Sequence, residues 1–303
     1  MSVDALVVPV ALRRGLTARV GAYLALTKPR IIELLLVTTL PTMVVAARGI
    51  PSGWLVLATL AGGALAAGGA NAVNMYVDRD IDALMKRTRN RPLVTGAVTP
   101  RAALIFAITL EVAAFAELWS AVNLLSAVLA VSATLFYVFV YTLWLKRTSK
   151  QNIVIGGAAG AVPVLVGWSA VTGRLALAPV VLFAVIFLWT PPHFWALAVR
   201  YRDDYAAADV PMLPVVTSLR VTAWRIVGYT AALWVASLVL VPVAHLGWLY
   251  LSTAVILGGV FLGRAIGLVR SASPGQAMRL FGYSITYLTV LFVAMAADQL
   301  ILR

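Results

Sequence analysis

The chain has 303 residues, 62% of them hydrophobic and only 12% charged, with a formal net charge of +13. That composition excludes a water-soluble domain, which at this length needs far more polar surface. The absence of cysteine excludes disulfides and thiolate chemistry.

In chain order, the first 22 residues carry a short apolar stretch, Val3 to Leu12, followed by arginines. This reverses the order of a signal peptide, so an uncleaved segment is expected over residues 1–22, poorly ordered or lying at the interface. Apolar runs long enough to cross the hydrocarbon, about twenty residues each, then recur to the C-terminus. Nine are placed, at 31–48, 53–77, 102–118, 121–144, 152–172, 176–199, 222–242, 246–267 and 279–300. No linker or composition break divides them. The expectation is an all-α polytopic membrane protein, a single domain over 1–303. With nine spans, 21 of the 24 Lys and Arg residues fall on one side and only Arg48, Arg174 and Arg303 on the other. That asymmetry places the N-terminus and the long loops in the cytoplasm of a plasma membrane. The cations border membrane spans, so the positive charge marks topology, not nucleic-acid binding.

Eleven acids are present, and six lie in two groups: Asp78, Asp80 and Asp82 after the second span, and Asp203, Asp204 and Asp209 after the sixth. The offset of roughly 125 residues suggests a weak internal repeat. On a helix turning about 100° per residue, Asn71, Asn74, Asp78 and Asp82 share an arc of about 80°, and Asp80 points the opposite way. A polar stripe on a membrane helix must face the bundle interior or a water-filled cavity. Its carboxylates and amides suit Mg²⁺, which takes one or two carboxylates plus oxygens of a bound phosphate. The plainer alternative is a solvated helix end balanced by Arg79, Lys86 and Arg87. In the second group, His193, Arg200 and Asp204 fall within about 40° of one another, with Arg200 and Asp204 as an i,i+4 pair; the alternative there is a surface ion pair. Two acidic groups on one cytoplasmic cavity, ringed by cations, imply a di- or polyphosphate held through Mg²⁺. The membrane setting implies that the rest of the substrate is lipid.

Four stretches carry a family resemblance: "LTKPRIIELLLVTTLP" from Leu26, "DRDIDALMKRTRNRPL" from Asp78, "YTLWLKRTSKQNIVIGGAAGAVPVLVGW" from Tyr141 and "TPPHFWALAVRYRDDYAAADVPMLPVV" from Thr190. With "NMYVDRDID", they resemble the UbiA-type intramembrane prenyltransferases, and within them the haem-farnesylating members. The resemblance implies nine helices around a central cavity. It also implies transfer of a farnesyl group from farnesyl diphosphate to a vinyl of protohaem IX, with haem as substrate and a haem-modifying membrane enzyme as a downstream partner. Asn74, Asp78 and Asp82 match the first metal–diphosphate motif, and Asp204, with Asp203, the second. This makes Asp78, Asp82 and Asp204 the expected metal ligands. Many superfamily members have Asp-x3-Asp where this chain has Arg200-x3-Asp204, so Arg200 is expected to touch the diphosphate itself.

An allylic diphosphate ionises when its leaving group is neutralised. Lys86, Arg87, Arg91, Lys146 and Arg147 are candidates for that role or for holding haem propionates, and Arg30 and Asn152, within the matched stretches, for substrate binding. His193 could orient haem or water, or make a structural hydrogen bond; His245 is assigned nothing. The runs "LAGGALAAGGANA" and "IGGAAGAVP" are expected to serve close helix packing, and the prolines of "GAVTPRAAL" and "WTPPH" to open helices locally. Glu33 could face the cavity. Two other functions compete: a prenyltransferase for a different aromatic or tetrapyrrole acceptor, and a transporter of an anionic lipid or metabolite. A transporter needs its polar site near the bilayer midplane, and here both acidic groups sit at one edge.

Overall fold

In hydrocarbon, every backbone N–H and C=O must find its partner within the segment, so isolated apolar runs of this length can only be helices. The computed structural model describes residues 15–301, apart from the side chains at 16, 30, 31 and 33–36. Most of the expected N-terminal segment, with the side chains of Arg30 and Glu33 and all of Arg303, therefore lies outside the described residues.

Two helices open the fold, α1 (Leu16–Thr27) and α2 (Pro29–Ala47), hinged at Lys28. Then come α3 (Gly53–Val77), the short α4 (Arg79–Leu84) and α5 (Pro100–Ala121). The next span begins as α6 (Leu124–Leu135), runs as a π-helix over Phe136–Leu145 and ends as α7 (Lys146–Thr148). After α8 (Asn152–Thr172) and α9 (Leu177–Arg200), the short α10 (Arg202–Ala207) and α11 (Leu213–Val216) lead to α12 (Leu219–Ala244), α13 (Trp248–Ser271) and α14 (Pro274–Ile301). Among the described residues eight helices are long and apolar enough to span a membrane. The expected span at 31–48 falls on α2, where the described apolar stretch is Val37–Ala47.

The breaks follow local chemistry. Thr99 caps α5 by accepting from Ala102 N–H, and Asn123 caps α6 from Ser126 N–H. Gly173 ends α8 at φ 68°, a left-handed conformation that costs glycine nothing. Pro100 occupies the first turn of α5 and begins that helix instead of opening it, whereas Pro191 and Pro192 do lie inside α9.

Sequence neighbours pack on one another from α2 to α14, and α14 returns to pack on α2, closing a ring. The glycine-rich run of α3 faces α5: a Cβ on Gly69 would stand 3.0 Å from the Ala107 carbonyl oxygen. The main core joins α8, α9, α12, α13 and α14 around Trp195, Tyr250, Phe261, Tyr287 and Phe292, all essentially buried. At the far end from the acids, Asp298 of α14 accepts from the N–H groups of Gly247 (2.6 Å) and Tyr250 (3.0 Å), so one carboxylate caps α13.

Candidate active site

The chain crosses from α3 to α4 with barely a break. Asp78 N–H donates to Asn74 O (2.9 Å) and Asp82 N–H to Asp78 O (2.8 Å), so the helical register runs through all three. Asn74, Asp78 and Asp82 are therefore stacked on one face, and all three are buried, Asp78 completely. Asp80 points outward, 60% exposed, as the helical register requires. Asn71 leaves the stripe: its amide donates to the Thr27 carbonyl at the end of α1, which makes it a structural tie.

Each member of the ladder meets a polar partner. Asn74 donates to Asp78 Oδ2 (2.8 Å) and to Thr142 Oγ1 (3.1 Å), and accepts from Lys28 Nζ (2.7 Å). Lys146 Nζ is paired with Asp78 Oδ2. Arg147 stands 3.8 Å from Asp78 Oδ1 and forks both nitrogens onto Asp80 at 2.7 Å. Arg91 Nη1 is 2.6 Å from Asp82 Oδ2. Asp80, outside the spans, is lowered to about 2, chiefly by its hydrogen bonds from Arg147. Asp78 Oδ1 is buried without a hydrogen-bond donor, and both the amide nitrogen and the amide oxygen of the fully buried Asn152 lack a partner.

The π-helix supplies the facing wall. It carries Thr142 and delivers Lys146 and Arg147 to the acids. Tyr137 and Tyr141 stack at 5.3 Å along it. The ring of Tyr141 fills the space that a Cβ on Gly156 would take. That glycine serves the site wall, not only helix approach as expected of its run.

The second acidic segment is arranged differently from the expectation. α9 ends at Arg200, Tyr201 leaves the helix, and α10 restarts at Arg202. No ion pair joins Arg200 to Asp204 among the described residues. Asp204 instead accepts from Arg87 N–H at 3.2 Å, and the Arg87 guanidinium lies 5.3 Å from the Tyr201 ring centroid. Lys86, Arg87, Arg200, Tyr201 and Asp204 line an open cleft of 420 Å³. The loop after α4 thus bridges both acidic segments, through Arg91 to Asp82 and Arg87 to Asp204. Among the described residues, however, no three His, Asp or Glu side chains converge as a metal cluster. The expected ligand trio of Asp78, Asp82 and Asp204 does not form such a cluster: Asp82 is paired with Arg91, and Asp204 accepts from Arg87 N–H. Asp203 is exposed. His193 is buried, bonded through Nδ1 to Ser284 Oγ (2.7 Å) and stacked between Trp189 and Phe281. That is the structural hydrogen bond weighed above.

Lys28 is the site residue that charge counting overlooked. Burial first, then Arg91 and Lys146, pull its ammonium down to about 7 from 10.5. An incoming diphosphate favours the protonated form, so its affinity should fall as pH rises above about 7, by at most about tenfold per unit. Titrating inorganic diphosphate with Mg²⁺ across pH 6–9 checks this, with Lys28→Met losing that part of the slope. An identical slope in the variant would show that Lys28 is not the group that titrates.

Residues 35–294 match the family model described as the UbiA prenyltransferase family. The chain belongs to the UbiA prenyltransferase family. Among its UbiA relatives, a protoheme IX farnesyltransferase of Frankia alni is 56% identical over 94% of this chain and 100% of the relative. Protoheme IX farnesyltransferase 1 of Saccharopolyspora erythraea is also 56% identical, over 96% of this chain and 93% of the relative. The fold is similar to that of a digeranylgeranylglyceryl phosphate synthase (TM-score 0.77, 16% identity, 93% of this chain and 98% of that one). It is similar as well to a UbiA homologue from Archaeoglobus fulgidus bound to GPP and Mg²⁺ (TM-score 0.63, 18% identity, 91% and 99%).

Proposed function

We propose that this chain is a single-domain intramembrane enzyme that transfers the farnesyl group of farnesyl diphosphate to a vinyl of protohaem IX, with addition of water, giving haem O and diphosphate. The observation that carries the chemistry is the buried Asn74–Asp78–Asp82 ladder ringed by Lys28, Arg91, Lys146 and Arg147. Relatives of 52–56% identity named for this reaction support the acceptor.

Asp78 and Asp82 fit Mg²⁺. Both are buried carboxylates, Asp78 keeps an oxygen without a donor, and Mg²⁺ needs only one or two carboxylates when a substrate phosphate completes its shell. When bound, the metal supplies positive charge that stabilises the departing diphosphate. Asn74 and Lys28 position Asp78, while Lys146, Arg147 and Arg91 stand where they would turn from carboxylate to phosphate with a bound Mg²⁺ balancing the acids. Lys86, Arg87 and Arg200 on the adjoining cleft extend the cationic lining, with Asp204 holding the Arg87 loop. The C–O bond to diphosphate breaks, the vinyl CH₂ attacks the allylic carbon, and water adds to the porphyrin-stabilised cation with loss of a proton. The stacked Tyr137 and Tyr141 offer ring faces to that positive charge. The one-sided basic loops support an active site facing the cytoplasm.

The test is purified protein with haem, farnesyl diphosphate and Mg²⁺, and mass identification of the product. No farnesylated haem, or farnesylation of a different ring in preference, would overturn the reading. Arg200→Asp restores the wider superfamily pattern and, with no ion pair to Asp204 lost, should regain part of its turnover as Mg²⁺ rises. A flat, inactive titration would count against Arg200 as a phosphate contact.

A further inference from the structure

The C-terminal third of the chain has an unbalanced charge. Between Asp209 and Asp298 there is no acidic residue, yet five arginines occur: Arg220, Arg225, Arg264, Arg270 and Arg279. All five sit near the ends of α12, α13 and α14 that share a side with the acidic segments. Arg264 is occupied, with its guanidinium 4.8 Å from the Tyr283 ring centroid. Arg220 and Arg270 have no carboxylate partner among the described residues.

These two arginines face one cleft. It has a volume of 580 Å³ and is lined by Arg220 and Trp224 of α12, Ile266, Val269 and Arg270 of α13, and Ala272 beyond it. Arg220 lies in the first turn of α12 and Arg270 in the last turn of α13, so the cationic groups stand at the level where the helices leave the hydrocarbon. Trp224, 57% exposed, lies one turn deeper, where an indole marks the membrane interface. Ile266 is a turn inside Arg270, and exposed Val221 and Val260 continue the apolar faces of the two helices.

We infer that this cleft is a binding site for the headgroup of an anionic phospholipid. Two unpaired guanidiniums can take a phosphate between them, each with its planar fork. The apolar half of the cleft suits the glycerol and the first acyl carbons, which a soluble phosphate lacks. Basic pockets between membrane helices recognise anionic headgroups on these physical grounds. The site is separate from the Asp78 group and uses none of its residues.

The experiment compares lipid retention in native mass spectra, and affinity in neutral detergent, for phosphatidylglycerol and phosphatidylcholine. The wild-type chain should retain phosphatidylglycerol selectively. The variant R220Q/R270Q should bind it roughly thirtyfold more weakly, about five- to sixfold for each arginine. Arg174→Gln, at the opposite end of the helices, should leave binding unchanged. R220K/R270K keeps the charge without the fork and should lose only a few-fold. An unaltered unfolding temperature establishes that the double variant is folded; should it fail to fold, the single variants Arg220→Gln and Arg270→Gln carry the same expectation. Equal retention of the two lipids by the wild type would overturn the inference, as would full phosphatidylglycerol binding by the glutamine variants. Displacement of the lipid by millimolar glycerol phosphate would also overturn it, because the site would then belong to a soluble anion.

Discussion

Asp78→Asn and Asp82→Asn should each lower farnesyl transfer by about a thousandfold or more, while Asp80→Asn changes it by less than about threefold. The three residues share one short segment, so the contrast isolates orientation. Asp78 and Asp82 are buried on the inner face of the ladder, and Asp80 is 60% exposed and held by Arg147. An exposed pair of this kind contributes at most about 1 kcal/mol, so its loss should leave the fold intact. The inner acids carry a second cost. Asparagine at Asp78 strands Lys146, and at Asp82 it strands Arg91; breaking a buried pair from one side costs about 3–5 kcal/mol. The double variant D78N/K146Q separates the two effects. It should recover most of the unfolding temperature lost in Asp78→Asn and none of the turnover. Recovery of turnover in the double variant, or equal losses at all three aspartates, would refute the metal-facing assignment.

Asp298→Ala should be the largest purely structural lesion outside the site, costing about 2–4 kcal/mol. The carboxylate accepts from Gly247 and Tyr250 N–H groups, and truncation leaves the buried Tyr250 donor and the part-buried Gly247 donor without their acceptor. Asp298→Asn keeps one acceptor and should lose about half as much. Thermal unfolding in detergent reads both changes. Turnover at low temperature should survive, because the cap lies at the other end of the helices from the ladder. An unfolding temperature unchanged in Asp298→Ala would show that α13 starts without this cap.

The ladder was legible because a helix has a fixed period. Asn74, Asp78 and Asp82 needed only a continuous register, and the backbone supplies it across the α3–α4 joint. Asp80 was placed by the same rule. The rule failed in two places where the register breaks or the contact is long-range. Tyr201 interrupts the helix between Arg200 and Asp204, which removes the pairing that an unbroken helix would give. Lys28 reaches Asn74 from 46 residues away, and nothing in a local pattern marks such a contact. The one available clue was the Lys-Pro step, where Lys28 adopts φ 52° between two helices. His193 illustrates a third limit. A polar residue on a membrane helix can be read as a ligand or as a tie, and only its partner, Ser284 in α14, distinguishes them.

The ten residues of π-helix between α6 and α7 make the span a gearbox with two differently phased shafts. Before the π-segment, the helix meets its neighbours in ordinary α phase; along and beyond it the phase is shifted, so that Thr142 within the segment and Lys146 and Arg147 after it turn toward the acids. Rewinding Phe136–Leu145 as α-helix at constant length would leave a span still long enough to cross the bilayer. It would also turn everything beyond by the difference between α and the wider π winding accumulated over ten residues, carrying Lys146 and Arg147 off the Asp78 face. The span's length and its angular setting are thus independent quantities. A relative with the same hydropathy profile but a residue more or fewer in this stretch would insert normally and present a different cationic face to its substrate.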